Sequence, residues 1–267
     1  MPPKPLLPPI LDDKAYDAPS VFQPENLLRE ARRQKRVPTG AVPEICVLDP
    51  DGDIQRALRA TGRAAPSPHW ACYHTELDVF EAGGTRFGLI GCAVGASFAV
   101  LLAEQLFASG CRLLISVTSS GQIVESGPTP YFIVIDRALR DEGTSYHYLP
   151  PSDYSDADAR LVAPALTAVA ATGIPVYQGA TWTTDAPFRE TAAAIEACRA
   201  RGILAVEMEA AALYAFARVR AKPVICFAHV TNQMARVEGD FEKGEAGGAY
   251  DALRVIQATA AALRPLV

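Results

Sequence analysis

Apolar runs of the length of a buried strand alternate with helical stretches from Ile45 to the end of the chain, and this alternation limits the fold more than any other feature. Because parallel strands need crossover connections, the alternation indicates a mainly parallel sheet covered by helices on both faces. We therefore predict a single-domain α/β fold over 44–267, with a central, mostly parallel, mixed and twisted sheet. The runs expected as strands are 45–48, 87–92, 113–117, 131–135, 175–177, 204–206 and 224–228. The stretches expected as helices, rich in Ala and Leu, are 97–108, 158–171, 188–201, 207–220 and 249–263.

The first 43 residues have a different character, because Pro and charged residues replace the apolar runs. Pro24 is a good first residue for a helix, and a short helical pattern continues from it to Arg36. We expect residues 1–43 to form an arm that packs on a neighbouring subunit.

Composition excludes several classes of function. The chain of 267 residues has a formal net charge of -5, whereas binding to nucleic acid or to an anionic membrane calls for a basic excess. The start of the chain is broken by Pro, and no segment reaches the ~18 continuous apolar residues of a membrane span. Six Cys without a C-x-x-C pair fit a reduced cytosol, and we expect a cytoplasmic protein. The four His show no metal-ligand spacing, so we expect no catalytic metal.

The junction around Glu207 and Glu209 is the most informative part of the chain. An apolar strand runs directly into a predicted helix that carries both acids in its first turn. Acids at this position stabilise a helix through its unpaired N–H groups and its dipole, which is one interpretation. A carboxylate there is also able to accept two hydrogen bonds from vicinal hydroxyls, the arrangement that holds a ribose diol.

The segment 206–213, which reads Val-Glu-Met-Glu-Ala-Ala-Ala-Leu, resembles the signature of the nucleoside phosphorylase superfamily, in its uridine-phosphorylase-like branch. The resemblance implies that Glu209 binds the 2′ and 3′ hydroxyls of a ribose and acts in catalysis. It also implies that Met208 packs under the sugar and that Glu207 belongs to the substrate site.

Two glycine-containing junctions are similar to the same superfamily. The first reads Gly-Leu-Ile-Gly-Cys-Ala-Val-Gly-Ala-Ser over 88–97, and amides at the start of the helix that follows are suited to face an anion. The resemblance implies a phosphate or water site that includes Gly95, Ser97 and Ser119. At the second junction, Val-Thr-Ser-Ser-Gly over 117–121, it implies that Ser120 and Gly121 contribute to the substrate site.

A further junction reads Thr-Asp-Ala-Pro-Phe-Arg-Glu over 184–190. Asp185 as a helix cap and Phe188 as a hydrophobic staple into the core would explain part of it. An aromatic ring beside an Arg also suits stacking on a base and donating to its carbonyls. The run resembles the base-facing wall of the superfamily, which implies substrate contacts for Phe188 and Arg189.

The resemblance implies a catalytic position at Asn232, where relatives that cleave purine nucleosides have an Asp that protonates the base. Asn is unable to do so, but a pyrimidine leaves with charge on its carbonyl oxygens, which hydrogen-bond donors stabilise. We therefore predict a pyrimidine nucleoside phosphorylase that takes phosphate as co-substrate and needs no cofactor.

The phosphate site departs from the pattern of phosphorylases, which place an Arg after the first strand and another where this chain has Ser116. Three Asp lie in the loop after the first strand, and they would repel phosphate. Arg56 or Arg137 could supply the missing charge. A nucleoside hydrolase that uses water, or a catalytically silent nucleoside-binding protein, therefore remains open. The superfamily also implies a homo-oligomer, a dimer or a trimer of dimers, in which Gln23 approaches a neighbouring ribose.

Overall fold

The computed structural model of the chain describes residues 7–234 and 238–266. Within these ranges, ten strands and seven α-helices follow the predicted alternation. The strands are β1 (Ile45–Asp49), β2 (Ala64–Pro66), β3 (Asp78–Ala82), β4 (Thr85–Gly91), β5 (Leu113–Gln122), β6 (Tyr131–Asp141), β7 (Tyr154–Asp156), β8 (Val176–Thr184), β9 (Ala205–Glu207) and β10 (Val224–Asn232). The helices are α1 (Pro24–Lys35), α2 (Asp53–Ala60), α3 (Ala96–Ala108), α4 (Ala159–Ala170), α5 (Ala192–Ala200), α6 (Ala210–Arg220) and α7 (Ala249–Leu263).

All ten strands belong to one mixed sheet with the order β10-β6-β8-β9-β5-β1-β4-β3-β2, and β7 pairs with β6. Strand β10 also pairs with β5, so that β5, β10, β6, β8 and β9 form a closed ring. In this ring the end of β5 lies between the end of β10 and the short strand β9. The prediction of a single-domain α/β fold with a mixed central sheet is confirmed.

Helices cover both faces of the sheet because each face is apolar. One core cluster joins the sheet to α3 and α6, and a second joins it to α2, α4 and α7. The small residues of α6, such as Ala210–Ala212, let this helix pack closely on α3. The two cores fix the strand ends from which the site is built.

Some predicted boundaries are wrong, and each error has a local cause. Helix α6 begins at Ala210 and not at Glu207, because Glu207 is the last residue of β9 and Glu209 occupies the N-cap position. The two acids therefore precede the first turn. Helix α5 begins at Ala192, capped by the side chain of Thr191, which accepts a hydrogen bond from the amide of Ala194.

The interpretation of Asp185 as a helix cap and Phe188 as a core staple is also wrong. The Asp185 carboxylate instead accepts a hydrogen bond from the Gly143 amide at 2.8 Å. Phe188 lies in a single 3-10 turn, Pro187–Arg189, and its side chain is 100% exposed. Because the chain turns away from the core at this loop, neither residue stabilises the start of α5.

The arm contains the expected helix, α1, which lies on its own domain. Leu28 and Ala31 of α1 pack with Ala71, beside Ala108 of α3. Val42 already belongs to the larger core cluster. The domain boundary at residue 43 and a contact with a neighbouring subunit stay predictions. Within residues 7–234 and 238–266, none of the helices has the length and apolarity that a bilayer crossing requires.

Candidate active site

Glu209 carries the most distinctive carboxylate of the site. It lies between β9 and α6, and only 1% of it is exposed. Its Oε1 accepts a hydrogen bond from the amide of Gly95 at 2.7 Å. This bond joins the junction between β9 and α6 to the glycine-rich segment 88–97, called the glycine loop below. Its Oε2 is buried and has no hydrogen-bond partner among the described residues. A buried acceptor without a partner costs free energy, so this oxygen is suited to accept donors from a ligand.

Glu207 has a different environment, although it is only two residues away. Its Oε1 accepts hydrogen bonds from the hydroxyls of Thr181 at 3.1 Å and Thr183 at 2.5 Å. Its Oε2 accepts from the amides of Glu209 and Ala210, each at 2.7 Å. Four donors occupy this carboxylate, so it fixes the start of α6. A direct substrate contact by Glu207 stays a prediction that this geometry does not favour.

Burial controls the protonation of the two acids. Burial, together with the nearby charge of Glu207, raises the pKa of Glu209 to about 8, while hydrogen bonds from the Gly95 amide and the Thr118 hydroxyl oppose the shift. Burial also raises the pKa of Glu207, against its four donors. Because Glu207 has more donors, the proton that the pair retains near neutral pH belongs mainly to Glu209. Thr118 was not foreseen, since the sequence gives no sign that it faces Glu209. Met208 is partly buried between the two acids.

Asn232 lies beside this junction at the end of β10, opposite Gly121 of β5. Its Nδ2 donates to the hydroxyl of Thr231 at 3.2 Å and to the carbonyl of Ser120 at 3.4 Å. Its Oδ1 accepts from the Met234 amide at 2.9 Å. A Cβ at Gly121 would collide with the sulfur of Met234, so a larger residue there would require the Met234 side chain to move. The structure thus brings the predicted residues Asn232, Ser120 and Gly121 together.

The loop after β1 reaches the glycine loop directly. The carbonyl of Asp49 accepts a hydrogen bond from the Cys92 amide at 3.0 Å. Arg56, in the first turns of α2, places Nη1 3.8 Å from the Cys92 sulfur and Nη2 2.5 Å from a carboxylate oxygen of Asp53. A guanidinium therefore lies next to the glycine loop, in a position that the sequence interpretation left open. Ser116 is buried inside β5, and its hydroxyl finds no partner in the described structure.

A small cavity of about 20 Å³ opens beneath this loop, enough space for about one water molecule. Its polar lining consists of Asp49, Asp51, Asp53, Ser119 and His229. Burial raises the pKa of Asp49 to about 7 and lowers the pKa of His229 to about 4, so His229 is neutral at physiological pH. The described residues contain no group of three or more His, Cys, Asp or Glu arranged to hold a metal.

The remaining predicted residues are less closely associated with this cluster. Ser119 lines the cavity and contacts the Thr231 hydroxyl at 3.1 Å. Ser97 lies exposed in the first turn of α3 and is not part of the cavity lining. The amide of Gly95 is already bound to Glu209. Phe188 and Arg189 are exposed on the loop after β8, and no described contact joins them to Glu209.

The fold and this junction define an α/β protein whose site is built from carboxylates and amides at the ends of β5, β9 and β10. Residues 52–263 match the sequence model of the phosphorylase superfamily, so the chain belongs to that superfamily. A crystal structure of uridine phosphorylase from Vibrio fischeri ES114 is similar, with a TM-score of 0.69, 20% identity, and coverage of 84% of this chain and 93% of that one. A second, in complex with 6-hydroxy-1-naphthoic acid, has a TM-score of 0.66, 19% identity, and coverage of 82% and 90%. At such identity the likeness shows the fold. No curated protein matches the sequence.

Proposed function

We propose that the protein is a nucleoside phosphorylase that cleaves the N-glycosidic bond of a nucleoside with inorganic phosphate. The observation that carries the proposal is the buried Glu209 carboxylate, with one oxygen bound to the Gly95 amide and the other without a partner. A ribose diol supplies two donors to such a group. Membership of the phosphorylase superfamily supports the same activity.

In the proposed reaction the bond between the anomeric carbon and the base breaks first, and its electron pair leaves with the base. A phosphate oxygen then bonds to the anomeric carbon, and the phosphate proton ends on the base, giving ribose 1-phosphate and free base. Two hydroxyl donors from a bound ribose favour the ionised form of Glu209 over the protonated form of the free protein. The ionised form then stabilises the positive charge that develops on the ribose. Arg56, next to the glycine loop, is the cation best placed to attract phosphate, and Ser119 lines the adjacent cavity.

We propose a pyrimidine as the base. Asn232 offers an amide and no acid, and its Nδ2 makes only two long hydrogen bonds, to the Thr231 hydroxyl at 3.2 Å and to the Ser120 carbonyl at 3.4 Å. A donor held this loosely is available to turn toward the carbonyl oxygen of a departing pyrimidine. The two similar solved structures are of uridine phosphorylase, which agrees with this substrate class. Phe188 and Arg189 would stack on the base and bind its carbonyls.

Hydrolysis is the second candidate, because of the cavity beside Asp49. It has space for about one water molecule and is lined by three carboxylates. Asp49, with its pKa raised by burial to about 7, is suited to accept a proton from that water. After the bond between the anomeric carbon and the base breaks, the oxygen of water would bond to that carbon. The proton taken up by Asp49 would return to the departed base, and the products would be free ribose and free base.

We also propose that the enzyme is a homo-oligomer that needs no cofactor. Val21 and Phe22 of the arm are 99% and 69% exposed, as expected for residues that another subunit covers. Light scattering coupled to size exclusion tests this directly. A monomer at micromolar concentration would contradict it.

The decisive experiment incubates the protein with uridine and a panel of other nucleosides, with and without inorganic phosphate. Chromatography measures the base, and phosphorus NMR measures ribose 1-phosphate. Release that depends on phosphate and yields ribose 1-phosphate supports phosphorolysis. Equal release of free ribose without phosphate supports hydrolysis. Binding of nucleoside with no turnover would refute both.

A further inference from the structure

The segment from the end of β1 to the start of α2 carries three carboxylates, those of Asp49, Asp51 and Asp53. A cation from a distant part of the chain pairs with two of them. The ammonium of Lys243 lies 2.7 Å from an oxygen of Asp51 and 2.6 Å from an oxygen of Asp53. Burial opposes this charge, but hydrogen bonds to the two carboxylates outweigh it and raise the pKa of Lys243. Lys243 therefore keeps its positive charge at neutral pH. It lies at the edge of the cavity lined by Asp49, Asp51 and Asp53, which is the candidate nucleophile site.

The backbone around Lys243 is built to hold it there. The amide of Glu242 donates to the Thr231 carbonyl at 3.0 Å, which ties the segment to the end of β10. On the other side, Gly248 has φ +80, and a Cβ at this position would collide with the ring of His229. A glycine is required for this close approach. The segment therefore fixes Lys243 with respect to β10, next to Asn232.

Lys243 balances part of the negative charge of the segment between β1 and α2. Asp53 has two cationic partners, Arg56 and Lys243, whereas Lys243 is the only ion-pair partner of Asp51 among the described residues. The two cations thus balance the charges of Asp51 and Asp53, and no ion pair joins Asp49 to a cation among the described residues. Loss of Lys243 leaves a net negative charge beside the glycine loop, where an incoming dianion would be repelled.

We propose that Lys243 is a positioning residue for phosphate. It neutralises Asp51 and Asp53, and the nucleophile site is thereby able to admit an anion. The proposal rests on the phosphorolysis proposed above and deepens it. Phosphorylases have a second phosphate-binding Arg where this chain has Ser116. Part of the role of that Arg then belongs to Lys243, which acts through the two carboxylates that it neutralises. The proposal also predicts that Lys243 affects phosphate far more than nucleoside.

The test compares Lys243→Met and Lys243→Arg with the wild type, with Lys222→Met as a matched surface control. Calorimetry with inorganic phosphate measures affinity, and steady-state kinetics give the KM for phosphate and for nucleoside separately. Lys243→Met should weaken phosphate binding by about tenfold or more, with the KM for nucleoside within about twofold. Lys243→Arg should retain most of the affinity, and Lys222→Met should behave as the wild type.

A double variant separates charge from structure. Asp51→Asn in the Lys243→Met background removes the uncompensated carboxylate and should restore at least half of the lost phosphate affinity on a logarithmic scale. A Lys243 that only holds the segment in place would show no such rescue, and that result would overturn the proposal, as would unchanged phosphate binding by Lys243→Met. A wild type that binds no phosphate would instead refute phosphorolysis itself, and the proposal with it.

Discussion

Replacing Glu209 by Gln should stabilise the free protein at neutral and alkaline pH while it abolishes activity. The pKa of Glu209 is raised from an ordinary 4.5 to about 8, so the folded state keeps a proton that the unfolded state loses. Wild-type stability must therefore fall as the pH rises between these values. Each pKa unit corresponds to about 1.4 kcal/mol. From pH 5 to pH 8 the wild type should lose about 3 kcal/mol relative to the variant, in which Gln has no proton to release.

The assay is urea unfolding at a fixed protein concentration from pH 5 to pH 8, followed by fluorescence of the buried Trp70 and Trp182. Glu207→Gln is the matched control, because its four donors require a carboxylate. This control should be destabilised by about 2 to 4 kcal/mol throughout the range. A difference between Glu209→Gln and the wild type that stays constant with pH would refute the reasoning, because it would show that Glu209 titrates normally.

Three further substitutions probe other parts of the structure. Phe188→Ala should change the free energy of unfolding by less than about 0.5 kcal/mol, since the ring is fully exposed. It should raise the KM for nucleoside if the ring stacks on the base. An unchanged KM would remove Phe188 from the site. Ser116→Ala should be neutral or stabilising by up to about 1 kcal/mol in urea unfolding, because the buried hydroxyl has no partner in the described structure, and a large loss would reveal an unseen bond. Gly248→Ala should cost at least about 2 kcal/mol, because a Cβ would meet His229 at a positive φ; a smaller loss would show that this segment adjusts freely.

Much of the fold could be predicted because the central strands are long, apolar and bounded by Ala-rich helices. Every predicted strand overlaps an observed one, from β1 to β10. The elements that sequence analysis missed are short or amphipathic. Strand β3 (Asp78–Ala82) alternates in burial, β2 and β7 have three residues each, and α2 follows a loop with Gly52 at φ +77. These elements depend on pairing with neighbours more than on their own apolar content.

The sequence singled out the junctions that form the candidate site, but not the different environments of the two acids within it. Glu207 and Glu209 look equivalent in a Val-Glu-Met-Glu run. They differ because Thr181 and Thr183, on the adjacent strand β8, supply hydroxyls to Glu207 alone. Glu209 faces the glycine loop instead. Strand pairing thus decides which carboxylate has both oxygens hydrogen-bonded and which has one oxygen without a donor. The local sequence does not specify that pairing.

The charge of the nucleophile site shows the same limit more strongly. Three Asp in one loop predict repulsion of phosphate when only that loop is considered. In the folded chain, Lys243 approaches Asp51 and Asp53 from 192 and 190 positions away in the sequence, and Arg56 approaches Asp53 from the next turn of helix. Electrostatic potential sums over neighbours in space, so a motif considered alone overestimates its net charge whenever its counterions come from elsewhere in the chain. The absence of arginines from a motif is therefore a weak reason to exclude anion binding. The charges of all side chains near the site in the folded chain have to be included first.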